Sequence, residues 1–176
     1  MKSKKGIVWV STVLYILIGL AVIGMLLVVI RPKIAQMKDS LTIDQTIQSM
    51  NKFDEVMLRT RQAAGMRLSY ELQLSRGEFL INAVNESVAW ILRDSAYKYS
   101  EENISIKIGN IDILTQKKGN VWQVTLSRDY SNSNINMTIV GMDKIRTLTP
   151  AKVPYGIWLE NKGLNETKQH IEITVE

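Results

Sequence analysis

The sequence predicts an α+β chain: one long N-terminal helix, first transmembrane and then amphipathic, followed by an antiparallel β-sandwich domain. Three observations carry this. An uncharged, apolar run extends from Ile7 to Ile30. Beyond Arg31 the large apolar residues recur at three- and four-residue steps, the spacing of one helix face. From Arg67 onward the period falls to two and stays there, interrupted by turn residues.

The apolar run fixes the first element. At about 1.5 Å per residue, its roughly 24 residues reach about 36 Å, enough to cross a hydrocarbon core of about 30 Å with some tilt. Secretory signals that are removed have shorter apolar regions, about 7–15 residues, and end in small residues suited to cleavage. Here the run ends in Arg31-Pro32-Lys33, so the helix is expected to stay with the protein. Flanking charge sets its orientation only weakly, because Lys2, Lys4 and Lys5 on one side nearly match Arg31, Lys33 and Lys38 on the other.

The second element is an amphipathic stem, residues 31–65, with its helix over 33–62. Ile34, Met37, Leu41, Ile43, Ile47, Met50 and Met57 line one side between Lys, Asp and Gln. Gly65, after Gln62-Ala63-Ala64, is the expected stop. A lone helix leaves such a stripe wet, so either the following domain or neighbouring copies of the helix must cover it.

Residues 66–176 then read as short strands. Leu68, Tyr70, Leu72 and Leu74 alternate with polar residues, and further strands are expected at Phe79–Val84, Val88–Leu92, Ile104–Ile108, Ile111–Thr115 and Val121–Leu126. Four more follow at 135–140, 144–149, 153–160 and 169–175. Gly109-Asn110 is a two-residue hairpin signal. Turns every 8–12 residues between short strands point to a sandwich.

Composition narrows the chemistry. The net charge is +5, of which Lys2, Lys4 and Lys5 supply three, and no basic run exceeds Lys117-Lys118. A mixed, solvated surface follows rather than a nucleic-acid footprint. The absence of cysteine excludes a disulfide framework and a thiolate metal site. A single histidine, His170, lies in the last strand without the partners that a triad or a metal site needs. Asp129-Tyr-Ser-Asn-Ser-Asn134 has alternating oxygen ligands but lacks the sixth-position Gly and closing Glu of a calcium loop, so it reads as a polar turn. Phosphate-binding glycine motifs are missing too. No catalytic set, cofactor or metal is expected, and the chain is read as a non-enzyme. Trp9 suits a membrane interface, whereas Trp90, Trp122 and Trp158 are expected in the core. Four N-x-[ST] sequons, at Asn85, Asn103, Asn136 and Asn165, mark possible N-glycosylation and favour an outside position for the domain.

The leader Lys4-Lys5-Gly6, the uninterrupted apolar helix behind it and the amphipathic stem resemble the type IV pilin superfamily, above all archaeal pilin-like and archaellin-like proteins with class III signal peptides. The resemblance implies a leader of residues 1–6, cut by a membrane-embedded prepilin-type peptidase between Gly6 and Ile7, with Lys4 and Lys5 as the basic residues before the cut. It implies a subunit stored in the membrane by residues 7–30, single-pass with residues 66–176 outside. Self-association with copies or related pilin-like subunits would then run through Ile34, Met37, Leu41, Ile47, Met50 and Met57, giving a surface filament or secretion-type complex. Many bacterial pilins carry Glu at the fifth position after the cut; here Ser11 stands there, as archaeal relatives often lack that Glu. The alternative reading is a permanent single-span anchor that displays a partner- or ligand-binding β-sandwich.

Overall fold

A computed structural model describes residues 4–165 and 167–176, with side chains described from position 9 onward; Met1, Lys2, Ser3 and Glu166 lie outside the described residues. Helix and stem are a single element, α1 (Lys4–Thr60), of 57 residues. At about 1.5 Å per residue it is about 85 Å long. It passes through Pro32 without a break. A proline here deprives the carbonyl of Val28 of its intrahelical donor, and both residues are exposed. The helix ends at Thr60, slightly earlier than Gln62, and Gly65 at φ 78° turns the chain back.

Ten strands follow: β1 (Arg67–Leu72), β2 (Glu78–Asn82), β3 (Ser87–Ser95), β4 (Ser105–Ile108), β5 (Ile111–Lys118), β6 (Val121–Asp129), β7 (Ile135–Ile139), β8 (Ile145–Leu148), β9 (Tyr155–Asn165) and β10 (Lys168–Val175). They form a four-stranded sheet, β1-β9-β10-β7, and a six-stranded sheet, β4-β5-β6-β3-β2-β8. Every pairing between strands is antiparallel except β10 with β7. The alternation works as the period of two requires: Ile157 and Leu159, Ile171 and Ile173, and Val124 and Leu126 point inward while their neighbours are wetter.

One hydrophobic core joins both sheets, and α1 belongs to it. Ile43, Ile47, Met50, Phe53 and Met57 are buried together with Phe79, Trp90, Ile113, Leu126, Leu159 and Ile173. Phe53 meets Tyr70 of the smaller sheet edge-on at 5.5 Å and Phe79 of the larger at 5.8 Å. The upper helix is therefore a third layer wedged against both sheets, not a stalk beneath a finished domain. The tryptophans divide: Trp90 is in the core, but Trp122 and Trp158 are half-buried on outward faces. Lys98 and Lys117 lie over Trp122, and Arg67 stands 4.6 Å over Trp158. Alternation explains the correction, since each occupies a strand position facing away from the core.

Candidate assembly surface on the helix

The six-residue stripe expected to self-associate splits at the point where the domain begins. Ile47, Met50 and Met57 are buried in the chain's own core and have no surface left for a neighbour. Ile34, Met37 and Leu41 are exposed, at 46%, 66% and 58%. The reason is helical phase. At about 100° per residue, Ile34, Met37 and Leu41 fall about 180° around the helix from Ile43, Met50 and Met57. The sequence holds two apolar stripes on opposite sides, not one. The lower stripe looks away from the domain and is continuous with Ile23, Leu27 and Ile30 of the apolar run, which are likewise exposed. Above Leu41 the same face becomes polar, with Asp44, Gln48, Lys52, Glu55 and Arg59.

Two carboxylates on the domain side of α1 set the boundary. Asp39 is buried; Arg76 Nη1 donates to its Oδ1, and the backbone N–H of Ala96 donates to its Oδ2 at 2.6 Å. Asp54, also buried, accepts from Arg128 Nε at 2.8 Å and from Asn110 Nδ2 at 2.7 Å. Both partners of Asp54 come from the larger sheet. Asn110 reaches it because Gly109, at φ 62°, lets the β4–β5 turn press on the helix, where a Cβ would meet Asn51 at 2.7 Å. At the far end, the fully buried Asn161 of β9 donates from Nδ2 to the carbonyls of Thr60 and Arg61 at 3.1 and 3.2 Å. It thereby satisfies carbonyls that a helix end leaves orphaned. Sequence reading gave no structural role to Asp39, Asp54 or Asn161. The available signal was a carboxylate on the apolar side of an amphipathic helix, which burial demands be paired.

Tyrosines complete the contact. Tyr70 donates its hydroxyl to the carbonyl of Ser49 at 2.8 Å, and burial pushes its pKa up. Tyr99 donates to Asp44 at 2.9 Å; burial first, then the Asp44 carboxylate, raise its pKa to about 12. Tyr130 is fully buried beside the Asp54–Arg128 pair, and desolvation holds its pKa well above the usual phenol value.

The remaining expected sites fall as follows. The backbone of Lys4, Lys5, Gly6 and Ile7 is the first turn of α1, and their side chains lie outside the described ones. Asn85, Asn103 and Asn165 are exposed in or beside turns, whereas Asn136 is half-buried within β7, and Thr138 of its sequon is tied to His170 Nε2 at 2.8 Å. The Asp129–Asn134 segment is a turn in which the Ser131 N–H donates to Asp129 at 2.8 Å, holding that carboxyl below its usual range. Among the described residues no group of His, Cys, Asp or Glu is placed to hold a metal ion. A cleft of about 880 Å³ opens between α1 and edge strand β1, lined by polar residues such as Gln45, Gln48, Lys52, Ser69 and Glu71. No family model, no curated protein and no solved structure matches this chain.

α1 is long and apolar enough to cross a membrane, its most apolar 18-residue window having a mean hydropathy of 3.1 with none of it buried. This is consistent with a membrane anchor, and it is the part of the helix that the sheets leave bare.

Proposed function

We propose that this chain is a non-enzymatic, pilin-like subunit: cut between Gly6 and Ile7, held in the membrane by residues 7–30 with the β-domain outside, and assembled into a surface filament or secretion-type complex through the bare face of α1. One observation carries the reading. Ile34, Met37 and Leu41 form an apolar stripe beyond the end of the span and opposite the domain, where neither lipid tails nor the sheets cover it. Copies anchored at the same depth would bring these stripes together at the centre of a bundle, with the β-domains on the outside. Inside the bilayer, assembly exchanges lipid contacts for helix contacts, so fit decides more than hydrophobicity. Above it, burial of each such side chain is worth about 1.5–3 kcal/mol.

The test pairs processing with assembly. In cells that have the peptidase, N-terminal sequencing is expected to find Ile7 first, and Gly6→Trp to retain the full-length form. Cross-linking in membranes is expected to give a ladder that Ile34→Glu together with Leu41→Glu abolishes. An uncut chain with no ladder leaves the permanent anchor as the function. That second reading draws on the upper stripe being spent inside the chain's own core.

A further inference from the structure

The lower rim of the β-domain is set by Asp39, where Arg76 and the N–H of Ala96 grip the helix. The loop between β8 and β9 hangs at this rim. The N–H of Ala151 donates to the Leu74 carbonyl at 3.1 Å, and Gln73 Nε2 donates to the Ala151 carbonyl at 3.2 Å, which ties the loop beside Arg76. Its tip is Lys152-Val153, held between Pro150 and Pro154, and Val153 is 73% exposed. On the helix just below the rim come Lys38, Lys33 and Arg31, all exposed.

None of these four cations forms an ion pair among the described residues. Several acids at this end are engaged elsewhere: Asp39 and Asp94 with Arg76, Glu78 with Arg93, and Asp44 with the Tyr99 hydroxyl; Glu71 and Glu176, both beside Gly156, also lie near the loop. No described carboxylate is paired with Arg31, Lys33, Lys38 or Lys152. Lys33 and Lys38 flank the bare stripe, about 70° to either side of it around the helix, so a bundle of copies would not neutralise them. Height points to another partner. From Ile30 to Asp39 the helix climbs only about 13 Å, and the headgroup layer beyond the hydrocarbon accounts for about 5–7 Å of that. The remaining gap is within a Debye length of about 8 Å at physiological salt.

We propose that the rim of the β-domain docks on anionic lipid headgroups of the bilayer that holds the helix, through Arg31, Lys33, Lys38 and Lys152, with Val153 entering the interface. The inference rests on residues 7–30 being a membrane span. Docking would fix the angle at which a stored subunit presents its bare stripe, and release from the headgroups would accompany any departure from the membrane.

Because the chain has no cysteine, single labels report cleanly. Full-length protein with Val153→Cys, carrying a polarity-sensitive fluorophore, is placed in nanodiscs of zwitterionic lipid with or without phosphatidylglycerol. Expected is a blue-shifted label that a headgroup-attached quencher reaches only when the anionic lipid is present. High salt should remove the effect. Lys152→Gln alone, a surface change that spares the fold, should weaken it, and Arg31→Gln, Lys33→Gln and Lys38→Gln together should abolish it. A label equally wet in both lipids, or contact that survives loss of all four charges, overturns the docking. A control label at Leu20→Cys separates the premises: if it is embedded while position 153 stays wet, only the docking fails; if it is itself wet, the span reading falls and takes the docking with it.

Discussion

The two halves of α1 look alike by spacing and live in opposite surroundings. Up to Lys38 the helix adds no side chain to the buried core and its apolar side chains are bare; from Asp39 to Thr60 one side is a structural layer of the domain. The upper half supplies five side chains to the domain's core and has little free apolar surface. The lower half adds no side chain to the buried core and leaves its apolar surface exposed. The stem is therefore two devices in sequence, with Asp39 as the seam.

The sharpest way to break this comparison is to cut at the seam and then at the end of the helix. Residues 39–176, expressed alone, are expected to fold. Residues 66–176 are expected not to, because they lack Ile43, Ile47, Met50, Phe53 and Met57. At about 1.5–3 kcal/mol each, those five side chains are worth about as much as the entire 5–15 kcal/mol stability of a domain. Thermal unfolding followed by near-ultraviolet circular dichroism decides it. A cooperative transition in residues 66–176 would make the upper helix an accessory and dissolve the distinction.

A smaller effect separates neighbouring charges on the upper half. Asp54 is buried with Arg128, and removing one partner of such a pair costs about 3–5 kcal/mol because the other is left buried and uncompensated. Glu55, the next residue, meets Arg59 at 3.7 Å with both side chains about two-thirds exposed. Exposed helical pairs of that kind are worth about 0.3–0.5 kcal/mol. Denaturant melts of Asp54→Ala and Glu55→Ala in residues 39–176 should differ by that margin. Equal costs would mean that Asp54 does not fasten the helix to the larger sheet.

Much of this was legible in the sequence, and the places where it was not share a cause. The period of two located each strand to within a few residues, and Gly109-Asn110 announced its hairpin, because alternation and turn chemistry are local properties. The parallel pairing of β7 with β10 was not legible, since nothing local to Ile135–Ile139 names a partner over 30 residues away. Ile34, Met37 and Leu41 merged with Ile47, Met50 and Met57 for a related reason. Steps of three and four describe either stripe, and only helical phase, tracked across the run, reveals that they lie on opposite faces. Trp122 and Trp158 were misplaced because size outweighed strand parity. Asp39 and Asp54 were given no role, though their place on the apolar side required buried partners.

The weakest expected effect lies at the seam. Tyr99, from the β3–β4 connection, donates to Asp44 just above Asp39, and its pKa stands at about 12. A phenol whose folded pKa exceeds its unfolded value of about 10 favours folding in its neutral form. Its contribution is fully present below pH 10 and is lost as the pH rises toward 12. Tyr70 and Tyr130 are shifted in the same direction, so alkaline unfolding of residues 39–176 should begin in that window and not at neutral pH. Burial is the larger cause for Tyr99 and Asp44 the lesser. Asp44→Asn should therefore bring the Tyr99 titration, followed by ring-carbon NMR, part of the way down while leaving it above 10. Stability at neutral pH should change by no more than about 0–1 kcal/mol, because the bond is close to solvent. A titration that does not move would detach Tyr99 from the helix and place the seam higher than Asp39. A fall all the way to 10 would mean that the Asp44 contact, and not packing against the sheet, keeps this ring out of water.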